Sequence, residues 1–124
     1  MAQHVGFYEV LMNGIKTLGQ PGDPDHTLTF VPPANTATDN PGLFSFGVRF
    51  FNVDAVNGVR LKITLNNELI VHMFEKAPLR DFIQVVVPKN VIKPGVTNKV
   101  QCNVVEGTGS IDLQNPVVSY QRNI

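Results

Sequence analysis

Val59-Arg60-Leu61-Lys62-Ile63-Thr64-Leu65 alternates apolar and polar residues without a break. Successive side chains of a β-strand point to opposite faces, so Val59, Leu61, Ile63 and Leu65 share one face and Arg60, Lys62 and Thr64 the other. Asn66-Asn67 follows, and asparagine tolerates the positive φ that both central residues of a two-residue hairpin need. Residues 68–74 then form the return strand. Such a hairpin predicts an antiparallel sheet with one face on a core.

The same period of two recurs on both sides of this hairpin. Residues 43–52 set Phe44, Phe46, Val48 and Phe50 against Ser45, Gly47 and Arg49. Phe51 falls on the Arg49 face. It is a ligand platform or a contact between copies there, unless a β-bulge turns it inward. Residues 82–87 read as a strand ended by Pro88, which cannot donate to a ladder. Residues 99–105 align Val100, Cys102 and Val104, and residues 5–12 and 27–31 are expected strands near the start. Two short strands, 110–113 and 117–120, flank Asn115-Pro116. Only residues 75–81 could make a helical turn, and Pro78 limits it.

Turn-forming clusters separate these segments, among them residues 19–25, 32–35, 39–42, 93–95 and 106–109. The longer stretches 18–26 and 32–41 read as crossovers between sheets, or else as loops that carry binding residues. About eight or nine short strands of this kind predict an all-β fold, a two-sheet antiparallel β-sandwich of jelly-roll topology. One domain spanning residues 1–124 accommodates it.

Composition narrows the function. Charged residues make up 16% of the chain, below the roughly 25% of an average domain, so much of the surface is neutral and polar. Ten basic residues balance ten acidic ones and are scattered, which argues against a nucleic-acid partner. No apolar stretch approaches the roughly 18 residues that span a bilayer as a helix, so no membrane partner is expected. The start, Met1-Ala2-Gln3-His4-Val5, lacks a basic region followed by an apolar run, so no secretion signal is expected. Cys102 is the only cysteine and no Asn-x-Ser/Thr sequon occurs; a cytoplasmic or at least non-oxidising setting is the mild preference.

Residues 59–120 resemble the second half of a carbohydrate-binding module of the galactose-binding-like jelly-roll class. The matching pieces are residues 61–71 around Asn66-Asn67, then Ile83-Gln84-Val85-Val86-Val87-Pro88. Ile92-Lys93-Pro94-Gly95 with Asn98 follows, and then Gly109-Ser110-Ile111-Asp112-Leu113-Gln114. The resemblance implies that Asp112 stands where a sugar-contacting Asn often sits. Gln114 stands where the class carries a carboxylate that helps hold a structural calcium, and Glu9 matches an acidic residue of the first strand. With Gln114 neutral, no metal and no cofactor is expected. The chain has no Trp, and only Tyr8 and Tyr120 offer the polar-edged rings that sugar platforms favour.

Other candidates read more simply as structure. Asp23-Pro24-Asp25-His26 could hold a metal, but Asp beside Pro suits a turn and the usual ligand spacing is missing. His72 shares a face with Ile70 and Phe74, which predicts a buried, hydrogen-bonded histidine. Cys102 on an apolar face predicts an inert thiol. No nucleophile elbow, His-x-His pair or phosphate-cradling glycine loop is present, so no catalytic residue is assigned. The ligand-binding candidates are Asp112, Gln114 and Phe51. Alternation sets Asp112 opposite Ile111 and Leu113, so its carboxylate is expected to face solvent and accept sugar hydroxyls, unless it merely stabilises the Asn115-Pro116 turn. The expected function is a non-catalytic binding module whose partner is a glycan or a protein. The alternative is a jelly-roll assembly subunit of a homo-oligomer, which the low surface charge also suits.

Overall fold

The computed structural model describes residues 4–20 and 22–123. Residues 1–3, on which the expectation of no leader rests, lie outside the described residues, as do residues 21 and 124. Among the described residues there is no helix. The strands are β1 (His4–Val10), β2 (Ile15–Gln20), β3 (Asp25–Phe30), β4 (Gly42–Phe51), β5 (Val59–Leu65), β6 (Glu68–Glu75), β7 (Leu79–Val87), β8 (Asn98–Gly107) and β9 (Gly109–Asn123).

They form two antiparallel sheets packed face to face. Sheet A runs β1-β9-β4-β7, with β2 also paired to β9, and sheet B runs β3-β8-β5-β6. β1 and β2 are two halves of one edge: Val10 lies opposite Val117, and Ile15 opposite Gln114. Counted as one interrupted strand, they complete an eight-stranded jelly roll.

The hairpin that decides the fold class forms as its sequence dictates. Asn66 and Asn67 have φ of 49° and 69°, the left-handed pair that a type I′ turn demands. Val59, Leu61, Ile63 and Leu65 are all buried and face Phe44, Phe46, Val48 and Phe50 in one core cluster. Phenylalanines of this kind stabilise the fold by about 1.5–3 kcal/mol each when fully removed from water.

Several boundaries differ from the sequence reading, each for a local reason. β9 is one 15-residue strand rather than two short ones. Asn115 adopts φ 46°, and the β4–β9 register shifts between Ser45 and Gly47. This bulge absorbs Pro116, which a central strand otherwise excludes. The gap between β1 and β2 sits opposite it: Leu11 N donates to Pro116 O at 2.9 Å, and Gly14 N donates to Asn115 Oδ1 at 2.7 Å. The stretch 18–26 is mostly strand, the end of β2 and the start of β3. No helical turn forms over residues 75–81, because β7 already begins at Leu79. Residues 32–41 cross between the sheets, pinned by Ala37 N to Gln121 O at 2.7 Å and Asn123 N to Asn35 O at 2.7 Å.

Candidate functional site

The outer face of sheet A carries the candidates. Strand alternation sends Leu43, Ser45, Gly47, Arg49 and Phe51 of β4 outward, because Phe44, Phe46, Val48 and Phe50 fill the core. The β4–β7 register then places Arg80 opposite Arg49, Phe82 opposite Gly47 and Val86 opposite Leu43. On the other side of β4, Asp112 lies opposite Arg49, Gln114 opposite Gly47 and Ser110 opposite Phe51. On β2, Thr17 continues the row past Asp112, and Ile15 continues the row past Gln114. All three sequence-derived candidates, Asp112, Gln114 and Phe51, therefore meet on one face. Phe51 stays outward, and the bulge that could have turned it inward lies at Asn115 instead.

The environment of Asp112 corrects one expectation. Its side chain does leave the core on the side opposite Ile111 and Leu113, yet the residue is only 7% exposed. Thr17 Oγ1 donates to Asp112 Oδ1 at 2.6 Å, and Arg49 Nη1 stands 3.8 Å from Oδ2. Two neighbours from strands distant in sequence, Thr17 and Arg49, cover the carboxylate, so it is buried beside Arg49 and does not face open solvent as expected. The Arg49 guanidinium in turn lies 4.5 Å from the centre of the Phe51 ring, a cation–π contact that braces both side chains. Gln114 lies beside Gly47; a Cβ there would stand 3.2 Å from the amide oxygen of Gln114. The glycine leaves a dip between Gln114 and Phe82.

Two shallow grooves open on this face. One of about 440 Å³ is lined by Arg49, Phe51, Asn52, Pro78 and Arg80 among others. The second, about 350 Å³, lies at the opposite end between Tyr8, Leu43, Ser119 and Gln121. Leu43 to Phe51 spans about 26 Å of strand, so the grooves mark the ends of an extended surface. Phe82 and Tyr8 project from it, 66% and 68% exposed.

The outer face of sheet B is built differently. Arg60 bonds Glu106 Oε2 at 3.2 Å, donates to His72 Nε2 at 2.6 Å and lies 4.7 Å from the Phe74 ring centre. His72 is thus exposed and paired with an arginine, not buried as its neighbours in sequence suggested; Val71, not His72, points to the core. Cys102 is buried, and burial pushes its thiol up to about 12, far from a reactive thiolate. Glu9 faces inward, opposite Val118, whereas Gln114 faces outward, so the two positions matched to a calcium site are on different faces. No cluster of three or more metal-ligating side chains occurs among the described residues.

Arg49, Arg80, Phe82 and Thr17 are the site residues that sequence reasoning missed. The polar face of residues 43–52 did contain Arg49, but Arg80 sat in a stretch read as a helical turn. Their adjacency follows from register between strands, for which one sequence has no local signal.

No protein-family model and no curated protein matches the chain. Among solved structures it is similar to the dimeric latent PorU of Porphyromonas gingivalis, at a TM-score of 0.71 and 11% identity, covering 98% of this chain and 13% of that one. It is also similar to a β-porphyranase of glycoside hydrolase family 86 from Bacteroides plebeius, at 0.67 and 8%, covering 99% of this chain and 21% of that one. The chain thus spans a small part of either protein, and identities this low show a shared fold alone. A family 35 carbohydrate-binding module from Clostridium thermocellum is matched at a TM-score of 0.46 and 13% identity, over 94% of this chain and 90% of that module.

Proposed function

We propose that the chain is a non-catalytic binding module that holds an extended glycan across the outer face of sheet A. The observation that carries this reading is the make-up of that face. Exposed rings at Tyr8 and Phe82 and the half-buried ring of Phe51 alternate with Gln84, Gln114, Ser45, Ser119 and two arginines. A sugar presents apolar C–H faces and polar hydroxyl edges, and a surface of spaced rings and fixed polar groups suits both. The grooves are shallow and the rings few, so affinity in the range of about 0.1–1 mM is expected. Titration with soluble oligosaccharides, following amide chemical shifts, tests the reading. Binding that perturbs β4, β7 and β9 supports it; no binding of any glycan at millimolar concentration removes it.

One observation favours a second reading, an assembly subunit. β7 is an edge strand of sheet A, paired only with β4, and it presents Phe82 and Val86 outward. An unpaired edge beside exposed apolar side chains suits pairing between copies. The molar mass in solution separates the two: a closed oligomer that buries Phe82 favours assembly, a monomer favours the module.

A further inference from the structure

The charge on this face is not evenly placed. Among the outward-facing residues of β2, β4, β7 and β9, the charged groups are Arg49, Arg80 and Asp112. The two arginines are direct cross-strand partners. Like charges directly opposite one another in an antiparallel pair are destabilising, so such a pair is normally offset by nearby carboxylates. Here a single carboxylate is available, and it is buried on the far side of Arg49 from Arg80.

That carboxylate leaves the donors unused. Asp112 Oδ2 stands 3.8 Å from Arg49 Nη1, beyond hydrogen-bond distance. Among the described residues, neither the Arg49 nor the Arg80 guanidinium makes a hydrogen bond, and Arg80 has no ion-pair partner. A guanidinium carries five N–H donors in a rigid fork that matches the paired oxygens of an oxyanion. Arg49 is held in place from two sides, by Asp112 and by the Phe51 ring at 4.5 Å. A preformed orientation reduces the entropy lost when a ligand binds. Arg60 on sheet B shows the contrast, since its guanidinium is already engaged by Glu106 and His72.

We propose that the groove between Arg49 and Arg80 recognises an anionic substituent on the saccharide, a sulfate ester or a uronate carboxylate, whose ring lies against Phe51. The inference rests on the glycan-binding reading above and names its ligand class. The two arginines share the oxyanion, and its negative charge relieves their mutual repulsion. Asp112 acts as a positioning residue: it holds Arg49 upright and leaves Arg80 to close on the ligand from β7. Because the groove is open to solvent, the attraction is screened by salt.

Isothermal titration with three oligosaccharide sets of equal length, one neutral, one sulfated and one containing uronate, tests this in the full chain. The expected result is that at least one charged set binds about tenfold or more tighter than the neutral set, with the gap narrowing as salt is raised from about 20 to 500 mM. Which charged set wins identifies the substituent. Arg80→Gln alters an exposed side chain without an ion-pair partner, so the fold is retained; it should abolish the preference for the charged sets over the neutral one. Arg49→Lys keeps the charge but loses the fork, and should reduce the preference in part. Equal affinity for neutral and charged sets overturns the anion site while the binding reading stands. A charged preference that survives Arg80→Gln also overturns it. Binding of none of the three sets removes the underlying glycan reading as well.

Discussion

Asn66 Nδ2 donates a 2.7 Å hydrogen bond to Asn98 Oδ1, tying the β5–β6 hairpin to the turn that leads into β8. Asn98 is fully buried and saturated: Oδ1 also accepts from Lys93 N at 2.8 Å, and Nδ2 donates to Lys93 O at 2.8 Å and Val96 O at 2.9 Å. Asn66 reaches Val91 O at 2.9 Å with the same amide nitrogen and accepts from Lys99 N at 3.0 Å. Two asparagines thus supply the backbone of residues 91–99 with the partners that no sheet offers it.

Asn98→Ala should therefore lower stability by about 2–3 kcal/mol, since buried groups lose their partners while water takes up the exposed parts of Lys93 and Val96. Asn98→Asp should be no milder, because it replaces two donated bonds by a buried charge. Urea unfolding at unchanged m-value measures both. A loss under about 0.5 kcal/mol for the alanine variant would show that the network is redundant.

Ile63 is 1% exposed, in register with Val71 on β6 and Cys102 on β8, at the centre of sheet B. Ile63→Ala removes core volume where both neighbours are fixed by ladders, and should cost about 2–5 kcal/mol. Lys62→Ala, one residue away on the outer face, should change stability by less than about 0.5 kcal/mol. The pair of measurements checks the register directly, since a one-residue slip would exchange the two outcomes.

How much of this was legible depends on the reach of the determinant. The β5–β6 hairpin was, because period two and Asn66-Asn67 are local and agree with each other. β2 was not: Gly19 and Gln20 run straight into the turn cluster that follows, and the strand exists because β9 offers it an edge. β9 was broken in two by Pro116, whose exclusion from central strands is a sound rule that a bulge at Asn115 locally lifts. The site shows the same division. Alternation set Asp112 away from Ile111 and Leu113 and put Phe51 on the Arg49 face, with an inward-turning bulge as the alternative; Gln114 lay beyond the expected strand, and its face follows from the length of β9. The cover over Asp112 comes from Thr17, 95 residues away in sequence, so its burial is a product of tertiary register alone.

Glu9 predicts a pH dependence. Burial raises its carboxyl above the ordinary 4.5, and the neighbouring Tyr120 hydroxyl counters this only in part; Oε2 and that hydroxyl are both shut off from solvent. Folded Glu9 holds its proton more tightly than unfolded Glu9 does. The stability it confers is present at low pH and is lost as pH rises through the raised value. Glu9→Gln should thus be at least as stable as the parent at pH 7, with a melting temperature that falls less as the pH rises above the ordinary carboxylate value of 4.5. A variant that melts well below the parent at neutral pH would mean that the ionised carboxylate has a favourable partner; Arg122, whose charge acts on the adjoining Tyr120, is the candidate.

Phe82 separates stability from binding most cleanly. It projects 66% exposed from β7, opposite Gly47, and makes no ring contact with another aromatic among the described residues. Its removal leaves the core of Phe44, Phe46 and Phe50 intact, so Phe82→Ala should keep the melting temperature within about 2 °C of the parent. The same change removes the largest exposed apolar surface between the two grooves of sheet A. Ring stacking and apolar burial of this size are worth about 1–2 kcal/mol, so affinity for a bound oligosaccharide should fall about 5- to 30-fold, for neutral and charged chains alike. A glycan held elsewhere on the molecule would leave the affinity unchanged. If instead the copies associate through β7, Phe82→Ala should convert an oligomer to a monomer, which sedimentation of the variant without any sugar would reveal.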